Sequence, residues 1–289
     1  MYRWSSTTIG SRGNITRTQR MISQYHVDGD VAIVTGASQG IGESIAKKIA
    51  ADGVDVAICS RSQERFQPVV DEIESDPDSG KVYAAECDVT DRDRVFEFVD
   101  EVVDEFGGVD VLVNNAGGSF QCPFEELSEN AWKTIIDINL HGAFHFTQAV
   151  GEVMRNNNGG YIVNIISGAG LDGGAPNMSQ YGAAKAALKN LTETLAREWN
   201  EYDIRTNCIA PGLIGTPGVV DSLGIEVADF PPREQVDRFI GTPEETADIT
   251  QFLCSPAASY LNGATIRAGL PSNQEPDRKD PDEVPGPSS

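Results

Sequence analysis

Residues 30–42 read DVAIVTGASQGIG, a short apolar run that leads into a glycine-rich turn. The run predicts a buried strand, and the glycines after it predict a turn into a helix. Gly36 lets the chain turn, Gly40 admits the close approach of a pyrophosphate to the backbone, and Gly42 lets the helix pack on the strand. The free N–H groups at the start of the helix would bind the phosphates. This spacing predicts a dinucleotide-binding loop, with a plain turn as the alternative.

Strands and helices alternate along the rest of the chain. Further strands are predicted at residues 54–59, 82–87, 109–113, 161–166, 205–209 and 264–267, and helices at 41–50, 63–74, 91–106, 132–154, 179–200 and 243–253. Such alternation requires right-handed crossovers between parallel strands, with helices on both faces of the sheet. We therefore expect an α/β fold, a single Rossmann-type doubly wound parallel sheet, over residues 28–270.

The two ends of the chain differ from its middle in composition. Residues 1–20 contain four arginines and no acidic residue, a composition found in organelle transit peptides. We favour a disordered leader over residues 1–27, or an upstream start codon with Met21 as the true first residue. Residues 271–289 are rich in Pro, Asp and Glu and predict a disordered acidic tail.

The net charge of −22 comes from 44 acidic residues against 15 Arg and 7 Lys. Such a surface repels phosphate backbones, so we expect no nucleic-acid partner. Since no apolar run reaches the length of a membrane span, we also expect no membrane partner. Acid-rich, lysine-poor composition is typical of proteins that function at very high salt, where self-repulsion is screened. We therefore expect a halophilic source.

The five cysteines are odd in number, widely separated and never in a Cys-x-x-Cys pair. This pattern indicates reduced thiols and a cytoplasmic location, without a disulfide framework or a zinc site. His141 and His145 lie four residues apart on a predicted helix, but no third ligand follows at a suitable spacing. We therefore expect no metal.

The end of the second strand decides which ribose the loop would accept. Sites specific for NAD place an acidic residue there, about 20 residues after the loop, to bind the 2′-hydroxyl group. Here the strand ends in Ser60 and Arg61, which can donate a hydrogen bond to a 2′-phosphate and pair with its charge. We therefore predict NADP(H) in preference to NAD(H), with an exposed Arg61 of no function as the alternative.

Tyr181 and Lys185 lie four residues apart on a predicted helix, with Ser167 a short way upstream. At this spacing the phenol and the ammonium group share one helix face. A nearby positive charge favours the phenolate, so Lys185 and an oxidised nicotinamide together would lower the pKa of Tyr181. The pair predicts a proton donor and acceptor, and an incidental pair on a surface helix is the alternative.

Six motifs follow one another in a fixed order: residues 35–42, Asn114-Asn-Ala-Gly117, Asn139, Ser167, Tyr181-x-x-x-Lys185 and Pro211-Gly212. In their order and spacing the chain resembles the short-chain dehydrogenase/reductases over about residues 28–268. The resemblance implies that Tyr181 exchanges a proton with the substrate oxygen and that Lys185 binds the nicotinamide ribose. It also implies that Ser167 holds the substrate oxygen and that Asn139 keeps a water in line with Lys185.

The resemblance and the loop chemistry together predict a set of cofactor contacts at the strand ends. These are Thr35, Gly36, Ser38, Gln39, Gly40, Ile41, Gly42, Ser60, Arg61, Asp88, Val89, Asn115, Ala116, Gly117, Tyr181, Lys185, Pro211, Gly212 and Thr216. The chain departs from the family pattern at Ile166, where a Ser is frequent, and at Arg267–Leu270, where Asp-Gly-Gly is frequent. The second departure affects subunit packing and one wall of the substrate pocket.

Residues 130–139, 197–199 and 252–263 resemble the fatty acyl thioester reductases within this family. The resemblance implies a small-molecule substrate, a 3-oxoacyl thioester or similar ketone, because the complete catalytic set suits carbonyl chemistry. Reduction of 2-enoyl or 2,4-dienoyl thioesters and oxidation of sugars or polyols are the alternatives. A non-catalytic NADP(H) sensor is the competing class.

Two expectations concern the parts of the molecule around the site. Residues 213–240 would form the lid that selects the substrate. The family expectation is a homodimer or homotetramer, formed through the helices at 132–154 and 179–200.

The charge of the chain generates a test in solution. We expect the thermal midpoint and the activity to be higher in molar KCl than in dilute buffer, because salt screens the repulsion among the acidic residues. Thermal unfolding followed by circular dichroism at both salt levels measures this difference. A protein that is most stable in dilute buffer and unfolds in molar salt would contradict a halophilic source.

Overall fold

The computed structural model describes residues 24–171, 174–223, 233–235 and 238–269. Within these residues, seven parallel strands form one sheet in the order β3-β2-β1-β4-β5-β6-β7. The strands are β1 Val31–Thr35, β2 Asp55–Ser60, β3 Val82–Glu86, β4 Val111–Asn114, β5 Gly160–Ile165, β6 Ile204–Pro211 and β7 Thr265–Ala268. The helices are α1 Gly40–Ala50, α2 Gln63–Glu74, α3 Arg92–Phe106, α4 Glu129–Ile136, α5 Gly142–Asn156, α6 Ser179–Glu198, α7 Pro217–Leu223 and α8 Pro243–Leu253. The predicted doubly wound parallel sheet is confirmed.

Apolar side chains fill the space on both faces of the sheet. Successive strand residues point to opposite faces, so Ile33 and Val34 belong to different cores. On one face, Val34 packs with Ile45 of α1. On the other, Ile33 packs with Phe98 of α3 and Phe146 of α5, whose rings meet edge to face at 6.0 Å between centroids. Burial on both faces explains why the strands are continuous apolar runs in the sequence.

The helix predicted at residues 132–154 differs in the structure. It begins earlier, at Glu129, because the Ser128 hydroxyl accepts a hydrogen bond from the Ala131 N–H at 3.2 Å. A π-helical turn over Asp137–His141 then separates α4 from α5. This turn contains neither Gly nor Pro, so the sequence pattern predicts one uninterrupted helix.

Residues 24–27, which the sequence places in the leader, contact the folded domain. The Gln24 carbonyl accepts a hydrogen bond from the Ala257 N–H at 2.9 Å, and the Val27 N–H donates to Asp52 Oδ2 at 3.0 Å. Residues 24–27 are therefore bonded to the folded domain. The rest of the predicted leader, with Met21, and the predicted tail lie outside the described residues.

The predicted lid at 213–240 is described only in part. Helix α7 follows Thr216, and residues 224–232 and 236–237 lie outside the described ranges. An isolated parallel bridge joins Ile214 to Gly241, so the two ends of this segment lie together. No helix in the described part of the chain is long and apolar enough to cross a membrane.

Candidate active site

A cleft of about 640 Å³ opens at the carboxyl ends of the strands, beside the point where the strand order reverses between β1 and β4. Most of the predicted cofactor contacts line it. They are Gly36, Ser38, Gln39, Gly40, Ile41, Ser60, Arg61, Asp88, Val89, Asn115, Ala116, Gly117 and Thr216. The cleft is large enough for an elongated small molecule such as a dinucleotide.

The glycine-rich loop follows β1 and forms one wall of the cleft. Gly36 has φ 64° and Gly40 has φ 59°, a backbone region that favours glycine. A Cβ atom on Gly36 would lie 2.8 Å from Ala116 Cα, and one on Gly40 would lie 3.0 Å from Thr216 Cγ2. Two glycines thus let the loop turn closely at the start of α1 and line the cleft there, which fits a pyrophosphate.

Thr35 and Asn115 hold this loop against the end of β4. The Thr35 hydroxyl accepts hydrogen bonds from the N–H groups of Asn115 and Ala116, both at 3.0 Å. The Asn115 amide donates to the carbonyls of Thr35 and Gly36, also at 3.0 Å. Thr35 is only 2% exposed, so it lies beneath the cleft and shapes the loop instead of lining the cleft.

Gly42 is needed for packing beneath the loop. A Cβ atom there would lie 2.4 Å from both Asn115 Nδ2 and the Gly36 carbonyl oxygen. Gly42 therefore allows the turn to close on Asn115, and it does not line the cleft.

The end of β2 places basic side chains along the cleft. Ser60 and Arg61 line it, and so does Arg65 in the first turn of α2. No ion pair of Arg61 or Arg65 with an acidic residue occurs within the described ranges, although the chain carries 44 acids. Arg65 was not among the residues predicted from the sequence; its one signal there is a second basic residue close behind Arg61, at the start of the predicted helix.

Asp88 and Val89 line the cleft after β3. The Asp88 carboxylate accepts hydrogen bonds from the N–H and the hydroxyl of Thr90, at 2.9 and 2.8 Å, which fixes this short turn. The Val89 carbonyl faces His145 Nδ1 at 3.1 Å, while His141 Nδ1 lies 2.8 Å from Asp137 Oδ1. In the described part of the chain, no three His, Cys, Asp or Glu residues cluster as metal ligands.

The predicted proton-transfer residues lie at the carboxyl end of β5 and the start of α6. Lys185 is 3% exposed, and its ammonium group donates a hydrogen bond to the Ile165 carbonyl at 2.9 Å. Its Nζ atom lies 5.7 Å from the centroid of the Tyr181 ring. Ser167 begins a short 3₁₀ turn and accepts a hydrogen bond from the Ala169 N–H at 3.2 Å.

The pKa of Tyr181 and that of Lys185 are both shifted by burial. Burial raises the pKa of the Tyr181 phenol, and a hydrogen bond with Ser167 opposes that rise. Burial lowers the pKa of Lys185 to about 8. The protein groups thus keep Tyr181 protonated and weaken the charge on Lys185, instead of lowering the pKa of Tyr181.

Asn139 occupies the middle of the π-helical turn and is 1% exposed. Its amide Nδ2 donates to the carbonyls of Gly118 and Ile135, at 2.8 and 2.9 Å. A Cβ atom on Gly117 would lie 2.7 Å from Asn139 Oδ1 and 3.4 Å from Lys185 Nζ. Asn139 and Lys185 therefore meet behind Gly117, at one end of the cleft.

Pro211 and Gly212, predicted as cofactor contacts, lie away from the cleft lining. Pro211 is the last residue of β6, and the Gly212 N–H donates to the Ala268 carbonyl at 2.6 Å. These two residues thus pair the end of β6 with the end of β7 in the sheet. Besides Arg65, lining residues that the sequence reasoning did not include are Cys59, Cys87, Thr90, Gly118, Thr134, Asp137 and Ile138.

The buried Lys185 generates a prediction on stability. Between about pH 8 and its unfolded pKa of about 10.4, the unfolded chain binds the proton that the folded chain releases. The free energy of unfolding should therefore rise with pH in this range, by about 3 kcal/mol at most, relative to that of a Lys185→Met variant. Denaturant unfolding of both proteins from pH 7 to pH 10.5 at constant salt measures the difference. Parallel curves would show that Lys185 keeps an ordinary pKa.

Comparisons with known proteins agree with this geometry. The family model described as short chain dehydrogenase matches residues 30–223. The chain is 37% identical over 241 residues to a 3-oxoacyl-[acyl-carrier-protein] reductase of Thermotoga maritima, covering 83% of this chain and 96% of that protein. It is 37% identical over 244 residues to a probable 2,4-dienoyl-CoA reductase of Bacillus subtilis, covering 81% and 92%.

A solved structure of 7α-hydroxysteroid dehydrogenase, complexed with NADH and 7-oxoglycochenodeoxycholic acid, has the same fold. It aligns with a TM-score of 0.76 and 33% identity over 86% of this chain and 96% of that one. The match of the family model, the identities and the shared fold agree with the order of the sequence motifs. The chain belongs to the short-chain dehydrogenase family.

Proposed function

We propose that the protein transfers a hydride between NADP(H) and a carbonyl or alcohol substrate, a 3-oxoacyl thioester or similar ketone. The main support is that Ser167, Tyr181 and Lys185 lie close together at the carboxyl ends of the strands, beside the cleft. A nicotinamide cofactor would supply or accept the hydride when bound. The loop after β1 would hold its pyrophosphate, and Lys185 its nicotinamide ribose.

Tyr181 would donate the proton to the substrate oxygen during reduction. Because burial raises its pKa, the phenol holds its proton at neutral pH and can act as an acid. Ser167 would donate a hydrogen bond to the same oxygen as negative charge develops there. Oxidation of an alcohol would use the two residues in the reverse sense.

Lys185 and Asn139 would return a proton to Tyr181. The pKa of Lys185 is about 8, so its ammonium group can release and regain a proton near that pH. Asn139 fixes the end of the β4 loop beside Lys185 through its bond to Gly118. As the resemblance implies, a water held near Asn139 would connect Lys185 to the solvent.

The preference for NADP(H) rests on the end of β2. Arg61 and Arg65 offer two guanidinium groups along the cleft, and Ser60 adds a hydroxyl. No carboxylate ends β2, where an NAD-specific site would need one. A 2′-phosphate would bind these arginines through charge-assisted hydrogen bonds.

Two other substrate classes remain as alternatives. The Bacillus subtilis relative is a probable 2,4-dienoyl-CoA reductase, which favours enoyl or dienoyl thioesters as the second candidate. Sugar or polyol oxidation has less support, because Phe120 and Phe124 are exposed on the loop after β4, at 37% and 70%. A sensor that binds NADP(H) without turnover is the competing class.

We further propose a cytoplasmic homodimer or homotetramer adapted to high salt. The cysteines in the described ranges are free thiols, which supports a reducing compartment. The net charge of −22 supports the salt adaptation. The oligomer follows from the family expectation and would use the helix pair α4–α5 and helix α6.

A Tyr181→Phe variant tests the proton donor. We expect NADPH oxidation with 3-oxoacyl thioesters to fall by about 10²- to 10⁴-fold, with NADPH affinity retained, because only the acid is lost. The matched control is Tyr83→Phe, which removes a hydroxyl group that is bonded to Glu101 and lies away from the cleft. This variant should keep the wild-type activity. A wild-type protein that binds NADPH but reduces none of the thioesters, ketones, steroids or aldoses tested would favour the sensor.

An Arg61→Asp variant tests the choice of cofactor. The ratio of kcat/KM for NADPH to that for NADH should fall by about 10- to 100-fold, because a charge-assisted hydrogen bond to the 2′-phosphate is replaced by repulsion. Lys81→Asp makes the same charge change at the opposite, amino-terminal edge of the sheet and should leave the ratio unchanged. An unchanged ratio in Arg61→Asp would contradict the assignment.

A further inference from the structure

The loop after β4 is held at three alternate residues. Asn139 bonds Gly118 twice, accepting from its N–H at 3.3 Å and donating to its carbonyl at 2.8 Å. Gln180 Nε2 donates to the Phe120 carbonyl at 2.9 Å. The Cys122 N–H donates to the Asn177 carbonyl at 2.8 Å. Gln180 lies in the first turn of α6 and Asn177 lies just before that helix, so two of the three anchors are close to Tyr181 in the chain.

Gln180 is the central anchor. It lies next to Tyr181 in the first turn of α6 and is 0% exposed. Its Oε1 atom lies 3.5 Å from the Ser179 hydroxyl, so both ends of its amide have partners. Leaving a buried amide without its partner costs free energy. The bond from Gln180 therefore restrains the backbone of the loop at Phe120.

The loop held in this way carries apolar surface. The Phe120 side chain is 37% exposed and Phe124 is 70% exposed, although aromatic side chains bury large areas when a partner is present. Gly118, at the start of the loop, lines the cofactor cleft. Phe120 therefore lies on a loop that begins at the cleft, and its carbonyl is bonded to Gln180, the residue next to Tyr181.

We propose that Gln180 is a positioning residue that holds Phe120 beside Tyr181 and so forms an apolar wall for the chain of the substrate. This inference rests on the proposed ketone reduction. It predicts that the enzyme distinguishes substrates by the length of their apolar part, through a hydrogen bond that does not touch the substrate.

The variant Gln180→Met keeps the side-chain length and apolar stem but cannot donate to Phe120. We expect amide hydrogen exchange at Gly118 and Cys122 to become about 2- to 10-fold faster, because one of three anchors is lost. We also expect KM for a long-chain 3-oxoacyl thioester to rise by about 10-fold, with a much smaller change for a short-chain one and for kcat. Phe120→Ala should give the same selectivity, and the two changes should be non-additive when combined.

Gln251→Met is the matched control. It removes a comparable side-chain hydrogen bond, from Gln251 Nε2 to Asp52, on α8 and away from the cleft. It should leave both the exchange of the β4 loop and the ratio of long-chain to short-chain KM unchanged.

The outcomes separate the role of the Gln180–Phe120 hydrogen bond, here called the tether, from the chemistry. Unchanged exchange at Gly118 and Cys122 in Gln180→Met would show that this bond does not hold the loop. Faster exchange with equal effects on long and short substrates would overturn the apolar wall. If the wild-type protein reduces no thioester, the proposed function and the wall fail together, whereas the exchange measurement still decides the tether.

Discussion

The site depends on the hydrogen bonds between Thr35 and Asn115. They join the ends of β1 and β4, the two strands between which the order of the sheet reverses. The Thr35 hydroxyl accepts two backbone N–H groups and the Asn115 amide donates to two carbonyls, which fixes the glycine-rich loop against the end of β4. Gly42 can then approach Asn115 closely, and α1 begins where a phosphate would bind.

The electrostatics of the catalytic group arise from burial more than from pairing. Lys185 is buried away from water, so its own pKa falls to about 8 although its ammonium group donates to a carbonyl. The same burial raises the pKa of Tyr181, and Ser167 limits that rise. The resting protein therefore presents a protonated phenol beside a lysine that titrates near neutral pH. Positive charge from a bound cofactor would therefore lower the pKa of a Tyr181 phenol that burial has already raised.

The sequence predicts the sheet, both helical layers and most of the cleft, because strand ends and glycines are local signals. Other features depend on contacts between residues far apart in the chain. Gln180 is buried by a loop 60 residues before it, and no local pattern marks such a residue. Thr35 matches the family motif, yet its burial beneath the loop follows only from the position of β4. Arg65 reaches the cleft because α2 begins at Gln63, directly after the strand end that carries Arg61.

The π-helical turn at Asp137–His141 also constrains the length of the chain. A residue removed from a helix rotates everything after it by about 100°, since the α-helix has 3.6 residues per turn. Here that rotation would carry Phe146 away from Phe98 and move Asn139 from its place behind Gly117. Single-residue insertions and deletions in the α-helical residues on either side of the turn should therefore disturb the site even where substitutions are tolerated. The number of residues between Asn139 and Phe146 matters to the site as much as their identity.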